Sequence, residues 1–240
     1  MSFTSRALMH LALLGILSFT STAAVITYSD RSSFDSAAPG LATETFDSGI
    51  LPDYGPFAYS NSAAPLDANT SNSVFAPGDL LPGFQILEAG GSNGDDALLV
   101  YQSAATGNSV AVGANYFVST LDIAFTAGTN AFGFDFWTMD DFTALGSSLV
   151  TISLYDLNND LIQSFSVTSS NSERRFFGAV SDTVVGRVNV AAAQSHSEII
   201  DNLSFGAPNS AVPEPSTYAM LAGGFALIAL LRKKKQSGVN

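Results

Sequence analysis

Apolar residues return at every second position through much of this chain. Leu121, Ile123 and Phe125 alternate with Asp122 and Ala124, and Phe132, Phe134 and Phe136 follow the turn signal at Gly128. A period of two is the spacing of one face of a β-strand, whereas a helical stripe needs about 3.6. LVTISLY (149–155) and LIQSFSV (161–167) flank Asp156–Asp160, which predicts a hairpin. VITY (25–28), ATETF (42–46), FQILEA, ALLVYQ, RRFFGAV, VVGRVNV and IIDNLSF extend the strand count to between nine and eleven. The exception is a short predicted helix after Asp30, capped by that residue and carrying Phe34 and Ala37 on its apolar edge. Five prolines between Pro52 and Pro82 predict a long loop-rich stretch over 47–83. Long helical periodicity is missing, which argues against parallel α/β folds. The expectation is an all-β domain, an antiparallel β-sandwich over residues 25–208.

The charge balance narrows the partners. Between Val25 and Pro208 there are 20 acids against 4 bases, a net of −16, and no lysine. Such a surface repels phosphate backbones, so nucleic acid is not an expected partner. It suits an exported protein, a cation site or a neutral sugar. With no cysteine and only His10 and His196, thiol catalysis, zinc–thiolate sites, disulfides and His-rich metal sites are excluded.

Both ends read as addresses. Residues 1–24 have the form of a cleaved secretory signal peptide: Arg6, an apolar run from Leu8 to Phe19, then small residues up to Ala24. That run is shorter than the roughly 20 residues a membrane span needs. At the other end, residues 209–240 are a linker and a tail of three parts. Val212, Pro213, Glu214 and Pro215 form an extended segment, because each proline fixes φ and removes a donor. A short apolar helix is predicted over 218–231, and Arg232, Lys233, Lys234 and Lys235 follow as a basic stop that marks the cytoplasmic side. At about 1.5 Å per residue this helix is short for a bilayer core of about 30 Å.

Pro-Glu-Pro, the short apolar helix and the basic cluster, in that order and spacing, resemble the PEP-CTERM sorting signal of Gram-negative exported proteins. The same tail also goes under the label of an ice-binding protein C-terminal domain, a label that describes the tail and not an ice-binding activity. The resemblance implies export through the inner membrane by the secretion machinery, recognition by an integral-membrane exosortase, and a transient C-terminal transmembrane helix. It also implies a place at the cell surface or outside it, in the company of exopolysaccharide and biofilm. "ITYSDRSSFDSA…TETFDS" and "VGRVNV…IIDNLSFG" are similar to other cargo domains carrying this tail, which implies a jelly-roll-like sandwich.

Candidate chemistry within the domain is sparse. His196 lies in SHSE, whose neighbours alternate between faces of an extended chain, and no GxSxG elbow exists, so a serine triad is not expected. Adjacent acids at Asp95-Asp96 and Asp140-Asp141 give no readable glycosidase geometry. DLNND (156–160) opens like a calcium loop but has Leu161 and Val167 where glycine and an acid are required, so it reads as a turn. A structural calcium, the one cofactor considered, would draw on Glu44, Asp47, Asp201 and Asn202, because Asp201 interrupts the apolar series Ile199, Leu203, Phe205. Trp137 falls on the face opposite Phe132, Phe134 and Phe136, where an exposed indole would stack on a sugar; the competing reading is a covered strand with the indole buried. The expectation is a non-catalytic carbohydrate-binding surface protein, with a secreted glycan-active enzyme or a passive scaffold as alternatives.

Overall fold

A computed structural model describes residues 24–52, 57–90, 97–103, 107–114, 119–141, 144–170, 173–193 and 196–207. Nearly all of the expected signal peptide, and the whole sorting tail, lie outside them. Among the described residues, twelve strands and one helix run in the order β1 (Val25–Tyr28), α1 (Arg31–Ala37), β2 (Ala42–Glu44), β3 (Phe57–Ala63), β4 (Phe84–Ala89), β5 (Ala97–Ser103), β6 (Val110–Ala114), β7 (Thr120–Asp141), β8 (Ala144–Gly146), β9 (Leu149–Asp156), β10 (Leu161–Thr168), β11 (Arg175–Ala192) and β12 (Ser197–Gly206). All pairings are antiparallel, along the path β10-β9-β11-β7-β12-β6-β5-β3. The all-β expectation holds.

Two long strands turn this one ladder into two layers. Leu121–Ala124 of β7 pair with Val190–Arg187 of β11, and Ala131–Phe136 pair with Val180–Arg175. Between these stretches the register shifts from Val180 to Val185, and Gly128 adopts φ 73. A Cβ at Gly128 would lie 2.3 Å from Val184, so the crossing needs glycine for both conformation and space. The expected turn at Gly128 is therefore an irregularity within one strand rather than a break between two. One layer holds β4, the first half of β7, the second half of β11, β9 and β10. The other holds β1, the first half of β11, the second half of β7, β12, β6, β5 and β3.

The layers meet in a phenylalanine-rich core. Phe165 of the first layer lies 5.6 Å from Phe177 of the second, and Phe125 lies 5.9 Å from both Phe132 and Phe205. Phe84 meets Phe205 edge-on at 5.4 Å. Aromatic pairs at these distances add to area burial, which is about 1.5–3 kcal/mol for each buried ring. The same core takes Ile123, Ile152, Val188, Val112 and Ile200 from both layers. The hairpin over 149–167 forms as expected, with Asp156 accepting from the N–H groups of Asn158 (2.8 Å) and Asp160 (2.9 Å) in its turn. In the predicted loop-rich stretch, β3 forms and pairs along its length with β5. Its alternation is masked because Ser60, Asn61 and Ser62 interrupt it.

The second layer has a covered outer face. Asp30 caps α1 by accepting from Ser32 and Ser33 N–H groups, as expected, and hydrogen bonds from the Ser33 and Ser32 side chains, helped by those N–H groups, hold its carboxyl below the ordinary aspartate range. Phe34 then seats against Ala131, Val180 and Phe176. Its floor is made by cross-strand partners Gly133 and Gly178, at which a Cβ would come within 3.1 and 2.7 Å of the Phe34 ring. Gly178→Ala is accordingly expected to lower stability by about 1–3 kcal/mol through overpacking, and Phe34→Ala by about 3–5 kcal/mol through the cavity left behind. Denaturant unfolding checks both; an unchanged midpoint for Gly178→Ala would refute the close seating of α1.

Candidate functional site

The residues proposed for calcium come to neighbouring strand ends, but both carboxylate oxygens of Glu44 and of Asp201 have protein donors. Glu44 is buried and accepts from the N–H groups of Phe46 and Leu81, both at 2.7 Å. Asp47 accepts from Val110 N–H at 3.0 Å. Asp201 is fully buried, and its Oδ2 takes hydrogen bonds from Arg174 Nη1 (2.7 Å) and Ser109 Oγ (2.8 Å) while its Oδ1 takes Asn202 N–H. Burial pushes the Asp201 carboxyl up, against the lowering by Ser109, Asn202 N–H and the Arg174 charge. Asn202 donates its amide to Asp135 and offers its carbonyl to Arg31. Among the described residues, no three His, Asp or Glu side chains converge as a metal-binding group.

The apolar series around Asp201 needs a correction. Asn202 has φ 51, and the pairing of β12 with β7 shifts between Asp201 and Ser204. This bulge reverses the alternation. Ile199 packs with Trp137 on the outer side, whereas Leu203 joins the main core. Asp201 therefore shares the side of Ile199 but not that of Leu203.

Trp137 as an exposed sugar platform also needs correcting. It does face away from the phenylalanine core, as alternation requires. The indole is nevertheless fully buried among Leu99, Tyr101, Ala111, Met139 and Ile199, with Arg174 stacked 5.5 Å from the ring centre. A central strand in a layer covered on both faces offers no open indole. Tyr101 is likewise buried, while Tyr59 is partly exposed. Tyr54, Tyr116 and Asp95-Asp96 lie outside the described residues. His196 meets Asp140 at 2.8 Å.

A polar face that sequence reading passed over lies on the outside of the first layer. Outward positions of β4, β7, β11, β9 and β10 align in rows: Leu87, Asp122, Asn189, Ser153 and Ser164 in one, and Gln85, Ala124, Arg187 and Tyr155 in the next. The Arg187 guanidinium carbon lies over the Tyr155 ring, 3.8 Å from its centre. Its Nη1 donates to Asp122 Oδ1 (2.8 Å) and its Nε to Asn159 Oδ1 (2.9 Å). Asn189 donates its amide to Asp122 Oδ1 (2.7 Å) and Thr120 Oγ1 (2.9 Å), and Ser153 and Ser164 share a hydrogen bond at 2.9 Å. Stacking and forked hydrogen bonds fix the guanidinium plane before any ligand arrives. Ala124, Ala191 and the serines keep the floor low around it. Arg187 is 24% and Asp122 14% exposed, so both present an edge to solvent. The legible signal was the sole arginine of β11's second half, set between core valines.

A second missed residue is Glu198, fully buried on the core-facing side of β12, two positions before Ile200. Burial pushes its carboxyl well above the ordinary glutamate range, offset in part by backbone N–H groups, and the charge of Glu88 raises it further. A carboxyl held neutral in the fold contributes its stability fully below the ordinary glutamate range. That contribution is lost as the pH rises through the raised value. In chelator-containing buffer, Glu198→Gln is therefore expected to be more stable than the parent at pH 7 by about 1–3 kcal/mol and nearly equal to it at pH 4. Thermal melts across this range check it; a variant less stable at pH 7 would reverse the sign.

The PEP-CTERM protein-sorting motif matches residues 211–235 of this chain. That motif implies an exported surface protein sorted by an exosortase through its C-terminal tail. Among the described residues no helix is long and apolar enough to cross a membrane, and 218–231 lies outside them. A search of curated proteins finds no match. Among solved structures, the chain is similar to the CBM22-1–GH10 modules of Clostridium thermocellum endo-1,4-β-D-xylanase 10B, complexed with xylohexaose. The identity is 8% and the TM-score 0.30, covering 71% of this chain and 28% of that one. It is also similar to the enzymatically active domain of tailspike protein 4 from bacteriophage CBA120, at 14% identity and TM-score 0.23, covering 64% and 20%. At these scores neither likeness carries an argument.

Proposed function

We propose that this protein is a non-catalytic component of an extracellular polysaccharide matrix. The tail delivers it by way of the secretion machinery, a transient stay in the inner membrane and an exosortase. The β-domain then holds a neutral exopolysaccharide on the outer face of β4, β7, β11, β9 and β10. The observation that carries the reading is the fixed Arg187–Tyr155–Asp122–Asn189 group on that face. Sugars carry vicinal hydroxyls that both donate and accept, and a guanidinium beside a carboxylate and an amide offers both partners in one plane. A flat strand face suits an extended polymer better than a closed cleft does. The strongly acidic, lysine-free surface repels anionic polymers, which favours a neutral one.

The test titrates the exported chain against neutral and acidic polysaccharides from a matrix-forming bacterium. Saturable binding to a neutral polymer is expected. Arg187→Ala and Tyr155→Ala should each weaken it about tenfold or more, with about 1.4 kcal/mol for each factor of ten. Arg187→Lys should restore little of it, because an ammonium lacks the planar fork. Absence of binding to every neutral polymer would favour a passive scaffold, and turnover abolished by a carboxylate substitution would favour a glycan-active enzyme.

A further inference from the structure

The Arg187 group of the first layer has a counterpart on the opposite outer face. β7 and β11 cross from one layer to the other, so each presents outward positions on both sides of the molecule. Asp122 of β7 points outward on the first layer. Asp135 points outward on the second, between the core residues Phe134 and Phe136. Phe176 of β11 is the cross-strand partner of Asp135. Arg31, the first residue of α1, sets its guanidinium carbon over the Phe176 ring, 4.6 Å from its centre. Its Nη2 donates to Asp135 Oδ1 (3.1 Å) and to the carbonyl of Asn202 (2.9 Å), and its Nη1 donates to Ser204 Oγ (3.1 Å). Asn202 donates its amide to Asp135 Oδ2 at 2.8 Å. Ser204 shares a hydrogen bond, also 2.8 Å, with the hydroxyl of Thr43, which is exposed.

The two groups are built from the same parts. In each, an arginine stacks on an aromatic ring, an aspartate accepts from that arginine, and an asparagine amide donates to the same aspartate. Stacking and several hydrogen bonds hold the guanidinium in place before a ligand arrives. Each ion pair is neutral within itself, on a domain whose other charges are nearly all acidic. Arg31 is 30% and Asp135 21% exposed, so this group also presents an edge to solvent. Anchoring α1 does not by itself account for the arrangement, because Phe34 already seats the helix against Ala131, Val180 and Phe176.

We infer that the Arg31–Phe176–Asp135–Asn202 group is a second site for neutral polysaccharide, so that one domain holds two polymer chains on opposite faces and cross-links them. The inference rests on the polysaccharide reading of the Arg187 face and adds a second site to it. The phenylalanine core separates the two faces, so a short sugar segment occupies one site or the other. Two sites on one β-domain join separate chains, and avidity on the resulting network raises the apparent affinity above that of either site.

The test titrates the mature exported chain by calorimetry with neutral hexasaccharides of glucose, xylose, mannose and galactose, and then with the long polymer of the sugar that binds. Two hexasaccharides per chain are expected. Viscosity of the polymer solution should pass through a maximum as protein is added and fall again in protein excess. Arg187→Ala and Arg31→Lys should each leave one hexasaccharide per chain and abolish the maximum. Arg31→Lys keeps a positive charge opposite Asp135 while removing the planar fork, and its melting curve checks that the fold is intact. Thr43→Val, at an exposed strand position, should weaken the second site about three- to tenfold and leaves the contacts of α1 in place. One hexasaccharide per chain, lost in Arg187→Ala and kept in Arg31→Lys and Thr43→Val, would overturn the second site and leave the first-layer reading standing. One hexasaccharide lost in Arg31→Lys and kept in Arg187→Ala would overturn cross-linking together with the first-layer reading. A parent that binds none of these sugars or their polymers would overturn both.

Discussion

The pairing of β7 with β11 is the constraint on which the rest of the molecule depends. Both strands are long enough to serve two layers, and their register changes where they cross from one to the other. Because hydrogen bonding resumes on both sides of the crossing, each layer inherits a fixed register from the same pair. The inward positions of β7 then face one another across the fold, bringing Phe125 against Phe132 although only six residues lie between them. Neighbouring strands add to a template already set. The crossing holds because Gly128 combines a left-handed backbone, which most side chains disfavour, with a clearance that any Cβ would fill.

Buried polar groups divide sharply within this frame. Asp201 is compensated by a guanidinium, a hydroxyl and a backbone N–H, and Glu44 by two backbone N–H groups from the loops it ties together. Such pairing offsets desolvation without adding much net stability, since the charges give up water to reach one another. Its effect is to hold loops and strand ends in one arrangement. Glu198 and Glu88 stand apart because one oxygen of each is buried without a hydrogen-bond donor. The Arg187 group is a third case. Its charges are neutralised within the face while their edges stay in water, which suits recognition better than stabilisation.

Strand positions with clean alternation were legible from the sequence, and so was the helix cap at Asp30, because each depends on residues adjacent in the chain. The hairpin around Asp156 formed for the same reason, with Asp and Asn closing their own turn. β3 escaped notice because the polar run Ser60, Asn61, Ser62 in its centre breaks the apolar alternation. The bulge at Asn202 escaped because a single positive φ reverses the sides of every later residue, and asparagine occurs at many turns without doing so. Trp137 was placed on the correct side of β7, but burial of that side depends on residues from β5, β6 and β12. Alternation says which face a side chain takes and nothing about what covers it.

The sequence by itself determined an all-β, cysteine-free, acidic chain, and it located the C-terminal sorting tail, because composition, period and motif are local properties of the chain. Only the tertiary structure decided which carboxylates meet cationic side chains, which meet backbone donors and which are buried without a donor. Asp122, Asn189 and Arg187 join across a strand pair, and Asp201 meets Arg174 and Ser109 from distant parts of the chain. Those partnerships are fixed by register and by the crossing of β7 and β11. They depend on distances through space between residues remote in sequence, which no local pattern encodes.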